Sequence, residues 1–299
     1  PGNRMGNYQL KGNKKMISGI IAWVRKKIAL LKTYIWNTTL ITAVDSTTGG
    51  GHKLPMRGPL YWIHLGYSQN KVILTGAVTN AVSSTEDFIN WDLKLYDHNG
   101  YYKLPLYGAG KFIVFEDETG GTLQYIKVLY DGSSEWVLHE VNLATAGDSF
   151  GCAIYAGGQF IVVLESNTYF TSTDGLTWVQ RVLPTGSKWS SILYRNGQYL
   201  ICASNWYNIL TSTDGITWTI GTVPTPLTSI GYVSGTVSNT GYVLMSHYQP
   251  RVIVSPDGFT WTTHALPALP LETYYEKVVY GAGIYLLLLN KGTTYYTST

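Results

Sequence analysis

The chain has 299 residues, of which 45% are hydrophobic and only 13% charged, with a formal net charge of +3. That length and apolar content suit one large folded domain or two ordinary ones. A net charge of +3 is too small to argue for a nucleic-acid partner. Tyr (24), Trp (10), Gly (32) and many Thr and Ser take the place of charged residues. That mixture favours twisted strands, tight turns and aromatic contact surfaces.

In chain order, the first predicted element is a helix over residues 14–35. Ile17, Ile21, Val24, Ile28, Leu31 and Ile35 follow 4-3-4-3-4 spacing, a heptad seam. Lys14, Lys15, Arg25, Lys26, Lys27 and Lys32 crowd the rest of the segment, with no acidic partner for a self-paired coil. Three partners suit it: an acidic groove on another protein, an anionic membrane, or the chain's own sheets. Docking into a larger assembly is expected, and membrane contact is not. The apolar run from Ile17 to Val24 is too short to span a bilayer. It also lacks a small-residue cleavage site, so it does not read as a signal peptide.

From residue 36 onward one short pattern recurs six times. An aromatic or apolar residue, a four-residue turn rich in Gly or Asn, and an aromatic-led apolar run begin at Tyr67, Tyr107, Tyr155, Tyr194, Val237 and Tyr280. The runs start five residues later, at Val72, Phe112, Phe160, Tyr199, Tyr242 and Tyr285. Spacings of 40, 48, 39, 43 and 43 residues indicate stacked supersecondary units, and blades of a β-propeller fit them. The fourth copy is the fullest. It predicts strands at 190–194, 199–203, 208–213 and 218–223, with Asn196-Gly197 supplying the positive φ of a hairpin turn.

A second motif falls before the fourth strand. It reads Ser172-Thr173-Asp174-Gly175-Leu176-Thr177-Trp178, then Ser212-Thr213-Asp214-Gly215-Ile216-Thr217-Trp218, then Ser255-Pro256-Asp257-Gly258-Phe259-Thr260-Trp261. Asp and Ser side chains bond turn backbone, and Gly takes a positive φ. Trp178, Trp218 and Trp261 are then expected to anchor each unit on its neighbour. Weaker copies end at Trp91 and Trp136. The motif resembles the Asp-box, or BNR, repeat of sialidase-like propellers, one residue shorter than Ser-x-Asp-x-Gly-x-Thr-Trp. The resemblance covers roughly residues 60–299 and implies a structural role for Asp174, Asp214 and Asp257.

The sixth copy stops at Thr297-Ser298-Thr299, where the third and fourth copies read Thr-Ser-Thr before their Asp. The expectation is an all-β, six-bladed propeller of four-stranded blades, closed by a strand within 36–44. Residues 1–35 form an arm with the amphipathic helix and residues 36–299 the propeller. Seven blades are the alternative if the native chain runs past Thr299.

Strand alternation places the first-to-second and Asp-box turns on one face. The second-to-third and fourth-to-first loops fall on the other, and aromatics collect there. Trp206, Tyr207, His247, Tyr248 and Arg251 lie in second-to-third loops. Trp189, Tyr101, Tyr102 and Tyr274 lie at fourth-to-first crossings. Exposed aromatics beside amides and hydroxyls suit sugar stacking or a protein partner, against the alternative that they cap the blades.

For an enzyme, the family resemblance implies an arginine cluster, an acid/base carboxyl and a Tyr–Glu nucleophile pair. The chain has only six arginines, Arg4, Arg25, Arg57, Arg181, Arg195 and Arg251, with Arg195 in a turn on the opposite face. Paired carboxyls for glycoside hydrolysis are not evident among Glu116, Asp117, Glu118 and Glu165. No metal-ligand spacing and no phosphate-cradling loop is present, so no cofactor is expected. Cys152 and Cys202 read as buried free thiols. Low charge, abundant Tyr, Thr, Ser and Gly, and a basic arm ahead of a propeller resemble bacteriophage tail and fibre proteins. That resemblance implies a non-enzymatic virion protein, held by its helix to other virion subunits and displaying loops to host surface glycan. A secreted sialidase-like hydrolase or carbohydrate-binding propeller, and an intracellular assembly factor similar to photosystem assembly propellers, are the alternatives.

Overall fold

A computed structural model gives the architecture. It describes residues 39–40, 63–67, 71–76, 81–85, 92–95, 101–117, 122–144, 148–203, 208–222, 233–246, 249–269, 275–281, 283–289 and 295–298. The predicted helix at 14–35 lies outside the described residues. The described chain forms two compact units, within Ile35–Trp189 and Ser190–Thr299.

The first unit holds three sheets, each an antiparallel meander in chain order. Sheet one contains β1 (Thr39–Leu40), β2 (Ile63–Tyr67), β3 (Val72–Gly76), β4 (Ala81–Thr85) and β5 (Asp92–Leu95). Sheet two contains β6 (Tyr101–Gly108), β7 (Lys111–Asp117), β8 (Thr122–Tyr130) and β9 (Val137–Ala144). Sheet three contains β10 (Phe150–Ala156), β11 (Gln159–Leu164), β12 (Thr168–Ser172) and β13 (Val179–Val182).

The second unit repeats the plan. Sheet four contains β14 (Trp189–Arg195), β15 (Gln198–Ala203), β16 (Asn208–Ser212) and β17 (Thr219–Thr222). Sheet five contains β18 (Val233–Val237), β19 (Tyr242–Ser246), β20 (Arg251–Ser255) and β21 (Thr262–Ala265). Sheet six contains β22 (Tyr275–Gly281), β23 (Ile284–Leu289) and β24 (Tyr295–Ser298).

The six-fold pattern in the sequence is a cross-strand pair. Tyr67 faces Val72, Tyr107 faces Phe112, Tyr155 faces Phe160, Val237 faces Tyr242 and Tyr280 faces Tyr285. Where both are aromatic the rings pack tilted, at 4.8 Å for Tyr107–Phe112 and 4.5 Å for Tyr194–Tyr199. Such pairs pin strand register. The hairpin between Tyr194 and Tyr199 has positive φ at both central residues, 49° at Asn196 and 80° at Gly197. That backbone matches the twist of the flanking strands.

Second strands form the core. β11 and β15 are buried throughout after their first residue. Because side chains alternate, β7 and β19 each feed two neighbours. Phe112 and Val114 of β7 pack with Ile73 of sheet one, while Ile113 and Phe115 pack with Phe160 and Val162 of sheet three. In the other unit, Tyr242 and Leu244 pack with Leu200 of sheet four, while Val243 and Met245 pack with Val278 of sheet six. Both faces buried explains why these strands read as continuous apolar runs. Fourth strands lie at the outer edge, and every residue of β21 is exposed.

First strands are also edges, and their N–H groups need partners. Hydroxyls of the preceding first strand supply them. Gly235 N–H donates to Ser191 Oγ, Val278 N–H to Ser234 Oγ and Tyr280 N–H to Thr236 Oγ1, all at 3.2 Å.

The expected closure differs. Thr39 and Leu40 pair with Leu65 and His64 of β2, adding a fifth strand to sheet one. They do not complete sheet six, which has three strands among the described residues. Pairing with β2 closes the segment 41–62, whereas pairing with β24 would close 41–294, and loop-closure entropy favours the shorter segment. The remainder of 36–44 lies outside the described residues.

Candidate functional site

At one end of the sheets lie the first-to-second turns and the motif turns. Each Ser-x-Asp-Gly-x-Thr-Trp turn closes on itself. In the first, Ser172 Oγ–H donates to Asp174 Oδ1 (2.9 Å) and Ser172 Oγ accepts from Gly175 N–H (2.7 Å). Asp174 Oδ1 also accepts from Leu176 N–H and Thr177 N–H, both at 2.8 Å. Asp214 repeats this with Ile216 and Thr217, and Asp257 with Phe259 and Thr260. Ser172 is 5% exposed, so Ser172→Ala leaves the buried Gly175 N–H without an acceptor. The expected cost is about 1–3 kcal/mol, read from the urea midpoint.

The same bonds hold the carboxylates ionised. The Thr177 N–H, then the Leu176 N–H, lowers Asp174 to about 2. Asp214 and Asp257 are likewise lowered to about 2, by Thr217 and Ile216 and by Thr260 and Phe259. The folded value lies below the ordinary 3.8, so the stabilisation is present above pH 3.8 and lost as pH falls through about 2. The urea midpoint should therefore drop between about pH 4 and pH 2. The triple variant Asp174→Asn, Asp214→Asn, Asp257→Asn keeps the acceptor oxygen but does not titrate, so its midpoint should be flatter over that range.

Trp178, Trp261 and Trp136 anchor neighbouring sheets. The Trp178 ring meets Phe115 of sheet two edge-on at 5.5 Å and Phe160 of its own sheet at 6.1 Å. Trp261 packs on the cluster holding Leu200 and Cys202 of sheet four, and Trp136 on that holding Ile73 of sheet one. Trp218 lies 6.3 Å from Tyr199 of its own sheet.

Two cations at this end are structural, and sequence reasoning assigned neither a partner. Arg195 donates to the carbonyls of Ser238 (3.4 Å), Pro256 (3.1 Å) and Asn239 (2.9 Å), tying sheet four to both turns of sheet five. Lys111 Nζ donates to the Asp174 carbonyl at 2.7 Å, tying sheet two to sheet three. The signal was the recurrence of a cation beside the hairpin turn.

The opposite end carries the loops expected to bind. Trp189 is not among its exposed residues. It is 1% exposed, and its indole N–H donates to the Ser166 carbonyl at 2.6 Å. A bulky aromatic at a first-strand start fills the space beside the second-to-third loop, so Trp189 is core. Its neighbour in role, Tyr275, is also 1% exposed and donates to the Pro267 carbonyl at 2.8 Å. Arg251 opens β20 half-buried, and its backbone N–H donates to the Gln249 carbonyl at 2.7 Å. Register sets Tyr101 opposite Asp117 and Tyr102 opposite Glu116. Trp206, Tyr207, His247, Tyr248 and Tyr274 lie outside the described residues.

Both thiols are buried and free of disulfide, as the sequence suggested, and burial pushes Cys202 up to about 12, which keeps it from acting as a nucleophile at neutral pH. Among the described residues no His, Cys, Asp and Glu gather in a metal-binding group. Among them, too, no helix is long and apolar enough to cross a membrane.

No protein-family model matches the sequence, and no curated protein matches it. Solved structures do match in shape. The β-propeller domain of Cps50 (Swd1) from Myceliophteria thermophila superposes with a TM-score of 0.60 at 7% identity, covering 78% of this chain and 81% of that one. The fold is a β-propeller. A streptogramin B lyase matches at 0.58 and 11% identity, over 78% of this chain and 91% of that one. YCF48 from Cyanidioschyzon merolae matches at 0.59 and 13% identity, over 79% and 80%. An enzyme thus stands among the propellers of this shape, and fold alone does not decide activity.

Proposed function

We propose that this propeller is a non-enzymatic structural and attachment protein of a bacteriophage virion. In this reading residues 14–35 hold it to other virion subunits, and the second-to-third and fourth-to-first loops face host surface glycan or a neighbouring subunit. The observation that carries the reading is how the repeated polar groups are spent. The three motif carboxylates bond their own turn N–H groups, and Arg195 bonds three carbonyls. The motif turns fit the Asp-box type, in which the carboxylate holds the turn. The low charge and the wealth of Tyr, Ser and Thr suit a surface that binds by stacking and neutral hydrogen bonds.

The test is incubation of the full chain with sialylated and neutral glycans and with host cells. Retention of intact glycan supports the reading. Release of free sugar replaces it with a sialidase-like hydrolase. Capture of a membrane-protein peptide with no glycan retained replaces it with an assembly factor.

A further inference from the structure

We infer that the outer edge of sheet two is a docking surface for residues 14–35 of a second copy of this chain. The inference rests on the assembly reading above and names the partner. The large apolar side chains left exposed among the described residues all sit on fourth strands or the turns before them, on sheets two to five. Scattered exposed aliphatics need no explanation, but confinement to the same edge of each sheet does. At the start of β9, Val137 (42% exposed) and Leu138 (43%) lie between exposed Glu135 and Glu140. The fourth strands of sheets three to five, Val179–Val182, Thr219–Thr222 and Thr262–Ala265, carry no acidic residue.

Charge says what fits on sheet two. The first 44 residues hold eight Lys and Arg and no Asp or Glu. The remaining 255 hold 13 Lys and Arg against 18 Asp and Glu. A basic segment with an Ile-rich seam repels its own copies, yet matches an edge that interleaves aliphatic and acidic side chains. Each copy carries one such segment and one such edge, so head-to-tail docking links copies without a further partner.

The experiment is sedimentation of the full chain across concentration, at low salt and at about 0.5 M salt. Self-association should appear at low salt and weaken by about tenfold or more at high salt. Glu135→Lys with Glu140→Lys should weaken it similarly, with a melting curve of the variant showing that it is folded. Lys26→Glu with Lys27→Glu should do the same from the other side, and mixing the two reversed variants should restore association. A monomeric wild-type chain, or association indifferent to reversal at Glu135 and Glu140, overturns the inference. A monomer that still co-purifies with virions sinks only the docking. Charge-dependent association of a chain absent from virions sinks only the virion reading.

Discussion

Gly175→Ala should lower stability by about 3 kcal/mol, a left-handed-backbone term of about 1–2 plus an overpacking term of about 1–3. Gly175 sits at φ 75°, which L side chains rarely adopt. A methyl group there would also collide with Ile113 Cδ1 and press within 3.1 Å of the Phe160 ring. Ile113 belongs to sheet two and Phe160 to sheet three, so the turn is wedged at a sheet-to-sheet contact rather than on open surface. The double variant Gly175→Ala, Ile113→Val removes the colliding Cδ1 and should recover part of the steric loss, leaving the backbone term. A double-mutant cycle in urea measures this coupling. Equal losses with and without Ile113→Val would place the whole cost in the backbone.

Trp189→Ala should cost about 4 kcal/mol, the range for deleting a fully buried tryptophan. The ring is 1% exposed, so its removal leaves a cavity beside the loop at 165–167 and frees the Ser166 carbonyl. Trp189→Phe keeps most of the volume and loses the N–H donor, and should cost about 1–2 kcal/mol. A ligand-stacking surface tryptophan behaves oppositely: its truncation changes stability by no more than about 0.5 kcal/mol and affinity by much more. Thermal melts of the two variants separate these cases. An unchanged melting temperature for Trp189→Ala would return this residue to the binding face.

What could be read from the sequence follows from periodicity. The pair Tyr194 and Tyr199 and the turn Asn196-Gly197 between them are local, so spacing alone placed β14 and β15 to within a residue or two. The Ser-x-Asp-Gly-x-Thr-Trp turns were equally legible, because their hydrogen bonds run within three residues. The closing strand was not legible: Thr39-Leu40 is β-prone wherever it pairs, and only the three-dimensional path chooses β2. Trp189 was misplaced for a related reason. A tryptophan at a strand start reads alike whether it points to solvent or toward Ser166, and its donor bond spans 23 residues. Arg195 spans 44 to reach Asn239, a reach that no window of sequence displays.

The central claim, that this propeller is a virion subunit, is tested most directly by fractionating an infected-cell lysate on a density gradient and quantifying the chain by mass spectrometry. A virion subunit bands with assembled particles at a fixed ratio to the major structural proteins. Recovery in the soluble cellular fraction alone, with none in purified particles, would contradict it.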